Sequence, residues 1–114
     1  MFVGAIGYFL FYGSIDFEPS SFDSDAWKAS KPEMTWNSLR LKMVDDLMES
    51  HLYNNQSKAS VIALIGEPDD TKYFDNYDMV YYLGRERSGL GVDSEWLVFK
   101  LKNNAVQNFR LVAD

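Results

Sequence analysis

Five carboxylates crowd one short stretch of the chain: Glu67, Asp69, Asp70, Asp75 and Asp78. Clustered carboxylates can chelate a hard cation or share a catalytic proton. Their spacing fits no calcium-loop pattern, and no glycine stands where such a turn needs one, so a solvated loop is expected. His51 is the single histidine. It falls at the carboxyl end of a predicted helix, where positive charge interacts well with the helix dipole. Without a second histidine or a cysteine it makes a poor metal ligand. Ser57, Ser60, Ser88 and Ser94 are not set in a nucleophile elbow, and no histidine is placed to serve them. A hydrolase built on the acidic loop would need a nucleophile, a base and an oxyanion donor together. The sequence offers no such trio, so no catalytic residue, metal site or cofactor is assigned and a non-enzymatic role is expected.

The chemistry that the residues do suggest is recognition. Two strand-like runs near the carboxyl end, Tyr77 to Leu83 and Glu95 to Lys102, are rich in aromatic and branched side chains, and the second alternates strictly. With Leu97, Phe99 and Leu101 turned toward the core, Trp96, Val98 and Lys100 stand on the opposite face, beside Val80 and Tyr82 of the first run. Asn108 and Arg110 of a third run, Val106 to Val112, extend that face. Tyrosine, tryptophan and arginine combine large area with a polar handle and are enriched at binding hot spots. Val80, Tyr82, Trp96, Val98, Lys100 and Arg110 are therefore the candidate partner-binding residues. The competing expectation is that another part of the same chain, the apolar start or Trp27, covers this face.

Two helices must position these strands. Between Trp36 and Leu52 the apolar residues Leu39, Met43, Val44, Leu47, Met48 and Leu52 recur at steps of three and four, the period of one helical face. Thr35 or Asn37 is the expected amino-terminal cap, and Asn54-Asn55 the expected stop. A second, short helix starts at Ser57, whose hydroxyl can accept from the Ser60 amide, and stops at Gly66 ahead of Pro68. Lys102-Asn103-Asn104-Ala105 provides a tight turn, because asparagine enters positive φ most readily after glycine. The fold class expected is α+β, with two helices packed on one face of a three- to four-stranded antiparallel meander.

At 114 residues the chain has the size of one domain and can enclose a core without metal or disulfide support. An apolar content of 46% with 16% aromatic residues belongs to a folded domain. The net charge of −6 repels a phosphate backbone, and the cations are scattered singly, so nucleic acid is not expected as a partner. The absence of cysteine removes thiol chemistry, disulfides and thiolate metal sites. Residues 1–15 carry no charged side chain. They read as an apolar anchor or signal remnant with membrane contact, or as an element of the domain itself, though they fall short of the ~20 residues of a spanning helix. Residues 16–35 turn polar and read as a tether, in which Phe17, Phe22 and Trp27 could dock and Asp23-Ser24-Asp25 could open a helical turn. Residues 36–114 form the helix-helix-meander domain.

Taken in order, Arg40-x-x-Met43-Val44-x-Asp46-Leu47, Leu64-Ile65-Gly66-Glu67-Pro68, Tyr82-Leu83-Gly84 and Val92-Asp93-Ser94-x-Trp96-Leu97 make a pattern. It resembles the SmpA/OmlA type of bacterial outer-membrane assembly lipoprotein and the β-lactamase inhibitor protein, over residues 36–112. The resemblance implies a protein-binding module of the cell envelope, periplasmic or membrane-anchored, with another protein as its partner. Those lipoproteins attach lipid to a cysteine. None is present here, which leaves the apolar start as the membrane contact. The inhibitor protein carries two copies of the unit and disulfides, against one copy and none here. The alternative reading is a small inhibitor or immunity-type protein that acts on an enzyme through its sheet face, and the alternative compartment is the cytoplasm.

Overall fold

The computed structural model describes residues 18–31, 38–70, 74–87 and 93–114. The apolar start, the expected caps Thr35 and Asn37, and Ser88 lie outside them. Three helices come first, α1 (Ser24–Ala29), α2 (Leu39–Ser50) and α3 (Lys58–Ile65). Three strands follow, β1 (Met79–Arg85), β2 (Ser94–Lys102) and β3 (Ala105–Ala113), in a sheet of order β1-β2-β3 with both pairings antiparallel. The class is α+β, with helices and a meander, as expected.

Local chemistry explains the element ends. Asp23 caps α1 by accepting from the Ala26 amide, and Ser57 caps α3 by accepting from the Ser60 amide at 3.0 Å. The cap of α2 is Ser38, one residue beyond the expected Asn37, because its hydroxyl does two jobs. It accepts from the Leu41 amide and donates to the carbonyl of Leu83. Leu83 sits in a bulge of β1 between Tyr82 and Gly84, where the extra residue leaves the ladder. Ser38 thus fastens the start of α2 to an otherwise unpaired strand carbonyl. At the other hairpin Asn103 and Asn104 take φ of 54° and 64°, the two positive values of a tight primed turn.

Gly66 ends α3 with φ 81° and ψ −176°, a region open almost only to glycine. A Cβ there would meet Lys28 Cγ at 3.5 Å, an ordinary contact, so the penalty of a side chain is backbone strain. Gly66→Val is expected to cost about 1–3 kcal/mol, read as a lower Tm by circular dichroism. An unchanged Tm would remove this account of the helix stop.

One face of the sheet carries the core. Met79, Tyr81, Leu83, Leu97 and Phe99 are 2% exposed or less and meet Leu41, Met43, Val44 and Leu47 of α2 and Val61 and Ile65 of α3. The segment read as a tether supplies a further core residue. Trp27 of α1 is 0% exposed, with the Arg40 guanidinium 5.3 Å from its ring centre. Arg40 is itself buried and donates to Ser30 Oγ and to the carbonyls of Ser30 and Trp27. Burial lowers its pKa against the raising charges of Asp69 and Tyr81.

The approach to α1 is pinned to α2 by Asp46, whose carboxylate accepts the Phe22 amide at 2.7 Å and the Ser50 hydroxyl at 3.1 Å. The Phe22 hydrogen bond, followed by that of Ser50, pulls the Asp46 pKa below its ordinary 3.8. A carboxylate depressed in the folded state stabilises above its unfolded pKa and loses that contribution as pH falls through the lower, folded value. The Phe22 amide is therefore expected to lose exchange protection below pH 3.8, and Asp46→Asn to abolish that pH dependence. Hydrogen exchange across an acid titration checks both.

Candidate functional site

The strand register puts the candidate residues where alternation placed them. Val80 opposes Val98, Tyr82 opposes Trp96, Val98 opposes Arg110 and Lys100 opposes Asn108. With Leu97 and Phe99 in the core, these side chains share the face turned away from the helices.

That face is not open, which corrects the expectation for two of its members. Val80 is 5% exposed and Val98 0% exposed, so neither can meet a partner directly. The face is covered from within the chain. Part of the cover comes from the acidic segment before β1, since Phe74 packs edge-on against Trp96 with ring centres 5.2 Å apart and against Tyr77 at 6.2 Å. Tyr82 closes on the same indole at 5.0 Å. Arg110 then clasps the edge of this cluster: two of its guanidinium nitrogens donate to the Tyr77 hydroxyl, and its cation lies 5.6 Å from that ring. Phe74 was hidden in the sequence by its acidic neighbours, and Tyr77, expected to open the first strand, lies ahead of it, since β1 begins at Met79. A phenylalanine inside an otherwise acidic, solvated loop was the signal that could have found the cover.

What the face still offers is a cleft of about 440 Å³, lined by Asn76, Tyr77, Lys100, Asn108, Phe109 and Arg110. Its floor is the β2–β3 pair and one wall is the Tyr77 segment. Lys100 and Arg110 occupy diagonal positions on neighbouring strands, within reach of one bound group. Neither makes an ion pair among the described residues. Tyr82 and Trp96 are half-buried on the same face. Two cations that make no ion pair among the described residues, set beside the Tyr77 ring, concentrate positive charge on a protein whose net charge is −6.

Two of the five acidic residues, Asp69 and Asp78, are engaged in holding the sheet. Asp69 donates its amide to the Val80 carbonyl and accepts the Tyr82 amide on Oδ2 at 2.6 Å; Asp78 accepts the Leu101 amide at 2.7 Å and donates its own to Phe99. Among the described residues no group of three or more histidine, cysteine or acidic side chains is placed to hold a metal ion. His51 caps the end of α2, its ring 5.0 Å from that of Phe22 and its Nε2 3.9 Å from Asp46. Burial, reinforced by the charges of Glu67 and Asp69, pushes the Tyr81 phenol well above its ordinary range. Its hydroxyl donates to the Gly66 carbonyl, so it stays a neutral tie between β1 and the end of α3.

An ion cluster that the sequence did not advertise lies at the far end of the sheet. Glu95, 7% exposed, takes Arg87 in a two-pronged pair with a closest approach of 2.7 Å, and Arg87 also reaches Asp45 of α2 at 3.2 Å. Burial alone would lower the Arg87 pKa, but the hydrogen bonds and charge of Glu95, with Asp45, raise it. No family model, curated protein or solved structure matches the chain. Among the described residues no helix is long and apolar enough to cross a membrane.

Proposed function

We propose that this protein is a non-enzymatic protein-binding module of the bacterial cell envelope, and that it engages its partner at the Lys100–Arg110 cleft. The observation that carries the reading is a cleft that sets two cations, neither in an ion pair among the described residues, beside the half-buried ring of Tyr77, on the face that also carries Tyr82 and Trp96. Such a site supplies rigid aromatic area and charge complementarity to a partner's carboxylate. Val80 and Val98 act beneath it as packing. The envelope component draws on the resemblance of residues 36–112 to the assembly lipoproteins and on the apolar run 1–15.

Capture from native cells with a photo-crosslinking residue in place of exposed Asn108 should yield a discrete adduct; the same residue in place of Glu49, exposed on α2, should not. Reversing both charges, Lys100→Glu with Arg110→Glu, is expected to reduce the adduct at least about tenfold, because like charges at an interface cost several kcal/mol. Equal adducts from both positions, or an adduct indifferent to charge reversal, would defeat the cleft. Recovery of the native protein in the soluble cytosolic fraction would defeat the envelope assignment.

A further inference from the structure

We propose that the partner adds to the outer edge of β3 as an extended strand of alternating apolar and acidic residues. The inference rests on the protein-binding reading and names the chemistry of what is bound.

The two edges of the sheet differ. On β1, Asp69 takes the Val80 carbonyl and the Tyr82 amide, and Ser38 takes the bulge carbonyl of Leu83, so that edge is already held by other parts of the chain. The first part of β3 is closed too. Val106 exchanges hydrogen bonds with Gln56 and Asn55 at 2.8 and 2.7 Å, and Lys58 donates to Asn104. Past the bulge at Lys100 and Leu101 the closure ends. Ser94 and Asp114 exchange both backbone hydrogen bonds, at 2.9 and 2.8 Å. Antiparallel pairs alternate between bonded and non-bonded. Val112, Arg110 and Asn108 therefore bond inward to β2, and Phe109, Leu111 and Ala113 direct their amides and carbonyls away from the sheet.

Those three residues have no backbone partner among the described residues. No proline, bulge or inward-pointing charge blocks this stretch, which are the usual ways of closing an edge. An incoming strand would find the half-buried Phe109 and Leu111 on the helix side of the sheet. On the other side it would meet Arg110, with Lys100 one strand further in. A segment whose alternate residues are apolar and carboxylate satisfies both sides, with backbone bonds for affinity and the charge for choice.

The test uses the full chain and three octapeptide probes: alternating valine and glutamate, alternating valine and lysine, and the glutamate peptide N-methylated at alternate residues. The glutamate peptide is expected to slow exchange of the Phe109, Leu111 and Ala113 amides at least tenfold, and N-methylation to weaken it about tenfold, as loss of a backbone bond register requires. Lys100→Gln with Arg110→Gln should weaken the glutamate peptide by about tenfold as well, and the lysine peptide should give no protection. Unprotected amides at about 1 mM glutamate peptide overturn strand addition. Equal protection by the lysine peptide overturns the acidic partner. The same protection without peptide, growing with protein concentration, makes a second copy the occupant and overturns the proposal. An Asn108 adduct obtained while the three amides stay unprotected removes strand addition alone and leaves the binding reading standing.

Discussion

Trp27→Ala is expected to destabilise the protein by about 3–5 kcal/mol, the range for emptying a large aromatic site in a core. For a domain of this size that lowers Tm on the order of 15 °C. The indole is fully enclosed among α1, α2 and α3, and its removal also strips the buried Arg40 of the ring it stacks on. A guanidinium left in that cavity must either be rehydrated or lose part of its charge stabilisation, so the loss should sit toward the upper end. Urea denaturation with tryptophan fluorescence from the remaining indoles measures it. A change under about 1 kcal/mol would mean that residues 24–29 do not belong to the folded unit.

Glu95→Ala carries the second large effect. Its carboxylate takes Arg87 Nε and Nη2 and the Arg87 amide, and with Asp45 it ties the β1–β2 connection to α2. Breaking a buried pair at one partner costs about 3–5 kcal/mol because the surviving charge keeps its desolvation penalty. Arg87 retains some exposure and retains Asp45, which places the expected loss nearer about 2–3 kcal/mol. Arg87→Ala should cost less, since it removes the cation together with its desolvation. The double variant should fall well short of the sum, giving a coupling of about 1–3 kcal/mol by double-mutant cycle in urea. Additive losses would show that the pair contributes nothing as a pair.

The two variants probe opposite ends of what the sequence could tell. Caps and turns were legible because they are settled within a few residues. Ser57 finds the Ser60 amide, Gly66 takes the one conformation that a branched residue resists, and Asn103-Asn104 accept positive φ. Strand facing was legible as well. The period of two in Glu95 to Lys102 leaves a single way to bury Leu97 and Phe99 at once, and the register places Trp96 on the far side as that pattern requires.

Exposure was not legible. Alternation assigns Val80 and Val98 to a face, but whether that face is wet depends on where the Phe74–Tyr77 segment lands. The same holds for Ser38, whose choice as a cap depends on a bulged carbonyl 45 residues away, and for Glu95, whose neighbours in sequence give no hint of Arg87 and Asp45. It holds again for the asymmetry of the sheet, where Asp69 takes the Val80 carbonyl and the Tyr82 amide at the β1 edge and nothing described pairs with the end of β3. In the sequence α1 reads as tether and the stop of α2 as Asn54-Asn55, whereas that helix ends at Ser50. By itself the sequence determined α3 with its cap and stop, the Asn103-Asn104 turn and the side of the sheet on which each strand side chain stands, because propensity and periodicity act over neighbouring residues. Tertiary structure alone decided which of those side chains reach water, since desolvation and hydrogen-bond closure are set by groups that meet only when distant segments pack.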